Sequence, residues 1–358
     1  MKVLMISADA NIIIVGEPVQ ARILAYGDLI EKLNVIILAG KYQKKIFTLS
    51  PKVEVVIVGQ AKKILSIFRA YLVGRKLSVD LITCQDPFFT GLVGVLLKKK
   101  LKRAKLEIQI HTALFSKEFL AFSYLNRLKS RLARYILQEA DSIRVVSERL
   151  KTDLLASDIV LKSDPVVLPI FVDSEKLKNA QPNFDLHHRY PSFKKIILMV
   201  ARLAPEKNFP LALAVVAEVI KSCPTCGLVI VGDGPERKNI LLLARRLGIA
   251  DQVSFEGWKN DLVSYYKSAD VFLQTSKFEG YGLSLVEALA CGLPVVSTPV
   301  GIMNNNIGQI GCSLFELSQA ILNSFGIEKT SVKLDKILKF KTFQSYAKAI
   351  VLSWSKIK

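Results

Sequence analysis

The chain has 358 residues, enough for about two domains of ~150 to 200 residues, and 51% of it is apolar, enough to fill two cores. Its formal charge is +19: 27 basic against 17 acidic residues up to position 175, and 23 against 14 beyond it. The excess is spread over both halves, which excludes a lone basic tail and suits polyanionic partners, an anionic membrane surface or simply a basic protein.

The opening "MKVLMISADA" reads as a buried strand and not as a secretion signal, because its apolar run breaks at Asp9. Further short apolar runs follow at 34–39 (NVIILA), 53–58 (VEVVIV), 80–84 (DLITC), 106–111 (LEIQIH) and 142–147 (SIRVVS). Amphipathic patterns such as "ARILAYGDLIEKL" and "YLNRLKSRLARYILQEA" lie between them. Continuous apolar strands separated by helices predict βαβ units with a parallel sheet covered on both faces. The most membrane-like run, "FFTGLVGVLL" at 88–97, is far shorter than the ~20 residues that span a bilayer.

The polar stretch 174–193, with two prolines and no periodicity, reads as a linker. The alternation then restarts: a strand at 195–201, a helix at 208–222, a strand "LVIVG", a helix at 235–247, strands "QVSFEG" and "ADVFLQT", a helix at 282–291 and a strand "PVVST". The expected organisation is therefore two α/β domains, 1–173 and 194–339, joined by 174–193, with a last amphipathic helix in 340–358. Two doubly wound domains are expected to face each other across a cleft and to bind ligands beyond the carboxyl ends of their strands. Five scattered cysteines fit a reducing compartment; "CPTC" at 223–226 lacks a second ligand pair and reads as a turn from helix into strand.

Three strand ends carry candidate chemistry. Arg202 and Lys207 follow the strand at 195–201, where a guanidinium fork and an ammonium can bind a diphosphate, although alone they read as solvated surface cations. Gly232 and Gly234 let backbone approach a ligand, and Pro235 suits a first helical turn. Glu279, Gly280, Tyr281 and Gly282 precede a helix opening at Leu283, so a glycine-lined helix N-terminus offers N–H groups and positive dipole. Glu287, on that helix among apolar neighbours, can accept hydrogen bonds from a ribose.

In this order, on consecutive βα units, Arg202 and Lys207, Gly232-Asp233-Gly234-Pro235, and the pair Glu279 and Glu287 eight positions apart resemble the retaining glycosyltransferases of group 1. The resemblance covers nearly the whole chain and is strongest over 194–301. It implies the GT-B architecture of two facing Rossmann-like domains, with the nucleotide-sugar held mainly by the second and the last helix returning to the first. It assigns Arg202 and Lys207 to the diphosphate, Glu279 to the donor sugar, Glu287 to the ribose, and backbone from Gly280 to Leu283 to sugar and phosphate. In the first domain it assigns His111, at the end of "LEIQIH", to the donor sugar and Gly16 to a phosphate-facing loop. Family members often have two adjacent glycines there; this chain has Gly16-Glu17-Pro18. After Gly301 it also lacks the acidic residue usual in related chains.

The resemblance implies transfer of a hexose to a lipid-linked or polysaccharide-type acceptor in cell-envelope glycan synthesis, in the cytoplasm, without a metal or other cofactor. The basic runs "LLKKKLKRAK" and Arg127 to Arg134 imply a peripheral position on anionic membrane at the inner face of the plasma membrane, although such runs also form ordinary solvated helix faces. Nucleic acid is not an expected partner, since aromatic residues do not interleave with the basic runs. Two other classes stay open: a sugar-nucleotide epimerase or a phosphorylase on the same architecture, and a non-catalytic basic protein that binds membrane or nucleic acid. Acceptor-dependent release of nucleoside diphosphate separates the first of these from a transferase.

Overall fold

The computed structural model describes residues 1–38, 45–58, 63–304, 306–327 and 338–357. Ala39, at the end of the expected strand 34–39, lies outside them, as do Asn305 after Gly301 and 328–337 of the expected second domain. The chain divides into two compact units, Met1–Pro169 with Phe340–Lys358, and Ile170–Lys339.

Unit 1 is built on strands β1 (Lys2–Ser7), β2 (Lys32–Ile37), β3 (Lys45–Ser50), β4 (Val53–Ile57), β5 (Leu81–Cys84), β6 (Lys105–Ile110), β7 (Ser142–Val145) and β8 (Val166–Val167). They form one sheet in the order β3-β4-β2-β1-β5-β6-β7-β8. Every pair is parallel except β3 with β4, an antiparallel edge hairpin turned at Pro51 and Lys52. Both faces of the parallel strands are covered, which is why β1 buries five consecutive residues from Val3 to Ser7. The helix Phe343–Ser355 completes this unit: Trp354 is buried and meets the Tyr26 ring edge-on, with centroids 5.4 Å apart.

Unit 2 is built on β9 (Lys195–Val200), β10 (Cys226–Val231), β11 (Val253–Gly257), β12 (Val271–Gln274), β13 (Val295–Ser297) and β14 (Gln309–Ile310). Their order, β11-β10-β9-β12-β13-β14, is that of a dinucleotide-binding sheet and reverses direction between β9 and β12. Alternate residues of each strand feed two cores. Ile197, Met199, Leu228 and Ile230 join the helices Phe209–Ser222 and Arg237–Arg246 on one face. Ile196, Leu198, Val229 and Val231 join the helix Leu283–Ala290 on the other. Cys223 and Cys226 turn the helix Phe209–Ser222 into β10, with the Cys226 N–H bonded to the Cys223 carbonyl at 3.0 Å.

The stretch 174–193 differs from the expected linker. It forms helices Ser174–Asn179 and Leu186–Arg189, each capped by an aspartate, Asp173 and Asp185. Leu186 and Phe193 are buried in the second core of unit 2. Polar residues bind the segment as firmly. Burial pushes the Glu256 carboxyl up, but the Tyr190 and Tyr265 hydroxyls and Arg189 outweigh it and hold its pKa at about 2. Their bonds to Glu256 measure 2.6, 2.7 and 3.0 Å. The segment hides a short amphipathic pattern inside a polar composition, because its apolar residues are too few to show a period. Leu186→Ala should cost about 2 to 5 kcal/mol of unit 2 stability, read from urea unfolding and amide exchange in β9 and β10; a true linker would give no loss.

Candidate functional site

The carboxyl ends of the adjacent strands β10, β9 and β12 carry most of the candidate residues. β9 leads through Ala201 and Arg202 into a single 3-10 turn, Pro205–Lys207, and then into the helix Phe209–Ser222 through Asn208 in left-handed conformation. The Arg202 guanidinium is 70% exposed and paired with Glu206 on the same turn. Lys207 points the other way, with only 22% of its side chain exposed, and its ammonium is paired with the Glu279 carboxylate on the loop after β12. Ser276 donates to the same Glu279 oxygen at 2.9 Å.

The two loops are also joined through the backbone. The Thr275 hydroxyl donates to the Lys207 carbonyl at 3.0 Å, and the Lys277 N–H donates to the Glu206 carbonyl at 2.8 Å. A narrow crevice between β9 and β12 is lined by Ala201, Lys207, Thr275, Ser276 and Ser284.

Gly232 and Gly234 follow β10, but the backbone that approaches them is the protein's own. A Cβ on Gly232 would lie 2.0 Å from the Ala201 carbonyl oxygen, and one on Gly234 would lie 2.4 Å from that of Leu203. The Leu203 N–H donates to Asp233 O, and the Glu236 N–H donates to Leu203 O, both at 3.0 Å. These glycines therefore let the β10 loop brace the one that carries Arg202 and Lys207. The helix begins at Arg237, two residues after Pro235, which sits in a turn.

After Glu279 and Gly280, Gly282 takes φ +90° and opens the helix Leu283–Ala290 without a side-chain cap. Its carbonyl accepts from the N–H groups of Leu285 and Val286, so those of Leu283 and Ser284 face outward past the helix end. The Tyr281 ring is buried, which leaves only its backbone near this mouth. Glu287 lies one turn into the helix and accepts a hydrogen bond from the Tyr266 hydroxyl at 2.9 Å. Burial pushes its carboxyl above the usual 4.5, opposed by that hydrogen bond.

Gly16 and His111 belong to unit 1. Gly16 (φ +88°) turns the chain after β1 into the helix Pro18–Asp28, with Glu17 at the N-cap and Pro18 in the first turn. His111 follows β6 directly and is open to solvent. Glu206, Thr275, Ser276 and Tyr266, which orient the predicted residues, escape the sequence reading; the strand-end position of "QTS" is the signal that marks two of them. Among the described residues no group of three or more histidine, cysteine, aspartate or glutamate side chains is arranged to hold a metal ion.

Two Rossmann-like units, one of them with cations and carboxylates where its strand order reverses, define the fold of the two-domain GT-B glycosyltransferases. A crystal structure of Anabaena HepE with UDP and glucose superposes with a TM-score of 0.75, at 18% identity and 99% coverage of both chains. Sucrose-phosphate synthase of Thermosynechococcus elongatus gives 0.74, at 20% identity and 99% and 96% coverage. Likeness at this identity establishes the fold. Residues 184–310 match the family "Glycosyl transferases group 1". The alpha-monoglucosyldiacylglycerol synthase of Streptococcus pneumoniae (strain ATCC BAA-255 / R6) is 30% identical over 260 residues, 67% of this chain and 56% of that protein. The chain spans about half the length of the curated relatives it matches.

A carboxyl whose folded pKa is raised stabilises the fold while protonated; that contribution is whole below its usual pKa and lost as pH rises through the folded value. Glutamine mimics the protonated acid. Glu287→Gln should therefore unfold at higher urea than the parent at neutral pH, and the gap should close as pH falls below 4.5. Equal midpoints at neutral pH would mean the charge is not penalised where it sits.

Proposed function

We propose that the protein is a retaining hexosyltransferase that moves a sugar from a nucleoside diphosphate donor to a lipid-linked or polysaccharide-type acceptor in cell-envelope glycan synthesis. The observation that carries this reading is the Lys207–Glu279 ion pair beside the uncapped N-terminus of the helix Leu283–Ala290, at the edge where the sheet order reverses. A cation and a row of N–H groups suit a diphosphate; a carboxylate a few residues away suits a sugar. The relative that makes a glucosyldiacylglycerol and the fold neighbour crystallised with UDP and glucose support the donor and acceptor classes.

In this mechanism the bond between the anomeric carbon and the diphosphate oxygen breaks while the acceptor oxygen attacks from the same face. Attack on that face keeps the configuration, and the departing phosphate takes the acceptor proton. Lys207 would leave Glu279 for the diphosphate, and Arg202, exposed and paired with Glu206, would swing onto the same leaving group. The N–H groups of Leu283 and Ser284 would take phosphate oxygens. Glu279, released, would orient the sugar and offset the positive charge that grows on it. Glu287 would hold the ribose, and from unit 1 His111 would act on the sugar and the Gly16 turn on phosphate. All the charge compensation comes from side chains and backbone, so no metal is required.

A surface of unit 1 supports a membrane-bound acceptor. The helix Tyr124–Glu139 exposes Tyr124, Leu125 and Leu128 together with Arg127 and Arg131. The helix Phe89–Lys100 lies alongside, with the Lys99 ammonium 2.9 Å from the Tyr135 hydroxyl, and Lys100, Lys102 and Arg103 are exposed at its end. Lys98 does not share in this face, because Asp141 binds it at 2.7 Å. No described helix is long and apolar enough to cross a membrane. Exposed apolar side chains ringed by cations suit the interface of anionic lipid.

Transfer assayed with a panel of donors in chelator should give a product with the donor's anomeric configuration by NMR. Glu279→Gln should lower kcat about 100-fold with little change in donor KM, whereas Glu287→Gln should weaken donor binding by about 1 to 3 kcal/mol. An inverted product, or activity that needs added magnesium or manganese, would overturn the mechanism. On liposomes, the protein should sediment with anionic vesicles and leave them as salt rises. Replacing Lys99, Lys100, Lys102 and Arg103 by glutamine should weaken this, with Lys98→Gln adding little; equal binding to neutral vesicles would reject the membrane face.

A further inference from the structure

Inside unit 1 runs a line of polar side chains. The Trp354 indole N–H donates to Glu107 Oε2 at 3.0 Å, and the Thr83 hydroxyl donates to the same oxygen at 2.6 Å. The Gln109 amide nitrogen donates to Thr83 Oγ1 at 2.8 Å, and Gln109 Oε1 lies 3.3 Å from His111 Nε2. Glu107, Thr83, Gln109 and Trp354 are all buried. Strand geometry makes the line: Glu107 and Gln109 share one face of β6, His111 continues their alternation just beyond it, and Thr83 is the register partner of Glu107 on β5.

The line has a direction. Indole N–H is a donor only, so Glu107 Oε2 accepts from Trp354, and Arg144, buried on β7, adds its positive charge close to the carboxylate. Thr83 has one hydroxyl hydrogen and directs it to Glu107, so its oxygen must accept from Gln109. The Gln109 NH2 group is thereby turned to Thr83 and its oxygen to His111. That oxygen only accepts, so the hydrogen between them belongs to His111 Nε2. Desolvation where the His111 ring packs against the protein, then the Arg144 and Arg22 cations, push its pKa down to about 3. The ring is open to solvent on one side, and the two guanidinium groups alone give that direction. A neutral imidazole carries a single N–H, so Nδ1 keeps its lone pair.

We propose that Glu107, Thr83 and Gln109 are positioning residues that lock His111 in its Nε2–H tautomer and leave Nδ1 as a hydrogen-bond acceptor for a substrate hydroxyl. The lock stands on geometry alone; the substrate hydroxyl rests on the transferase reading above. At Nδ1 the ring can receive a hydrogen from a sugar and has none to give, so His111 steers a hydroxyl and does not protonate a leaving group.

Long-range proton–nitrogen spectra of the 15N-labelled protein test the lock without donor or acceptor. The chain has three histidines, and His111→Gln assigns the signal. The expected result is one neutral tautomer protonated at Nε2 from about pH 5 to about pH 8. Thr83→Val should convert it to a mixture of tautomers, and Thr83→Ser should restore the single form. An Nδ1–H tautomer or a mixture in the parent protein, which needs no variant to fold, would overturn the proposal. So would an unchanged Nε2–H signal in Thr83→Val. A locked tautomer in a protein that transfers no sugar would overturn the activity and leave the lock standing.

Discussion

The contact between Lys207 and Glu279 joins two loops that are 72 residues apart in the chain, at the place where the sheet of unit 2 reverses its order. Both side chains are mostly withdrawn from water, so each charge depends on the other for compensation. The Thr275 and Lys277 bonds hold the loops in register beneath them, and the β10 loop braces them from the side through Leu203. An anion entering the site would compete with Glu279 for the same ammonium. Binding of the diphosphate and release of the carboxylate toward the sugar would then be one event, with Ser276 steadying Glu279 as its partner changes. On the proposed reading, the cost of parting the pair would set how much donor binding energy goes into arming the site.

The parallel strands were legible because their burial on both faces produces unbroken apolar runs, as in "VLMIS" and "KIILMV". Three strands were not. β3 lies at the sheet edge, where half its residues face water, and β8 and β14 are two-residue pairings made by tertiary contact alone. The segment 174–193 misled for the opposite reason, since it enters a core through isolated residues such as Leu186 and is otherwise held by the polar cluster on Glu256. Boundaries also shifted where special backbone was needed: the helix after Gly234 starts late because Glu236 first bonds back to Leu203.

At the site, the charged residues were legible by type and position, but their partners were not. Nothing local to Glu287 announces Tyr266, which is 21 positions away, and the pairing of Lys207 with Glu279 needs two strands to be neighbours. The glycines after β10 carry a structural reason that a motif does not reveal. One pattern was open to reading: "LEIQIH" places glutamate, glutamine and histidine at every second position of an otherwise apolar strand. Polar residues at that spacing share a face, and the two that are buried, Glu107 and Gln109, must find hydrogen-bond partners along it.

Unit 1 takes its final helix, Phe343–Ser355, from beyond the whole of unit 2 in chain order. During synthesis, unit 2 can therefore close its sheet while the earlier part of unit 1 still lacks Trp354. Until that helix arrives, the ring of Tyr26 has no edge to pack against and Glu107 is short of one hydrogen-bond donor. Domains that are continuous in sequence tend to fold as they leave the ribosome, first part first. Here the order is reversed at the last step: the half that is made first is the half that is finished last, and it carries exposed apolar surface through the making of the rest.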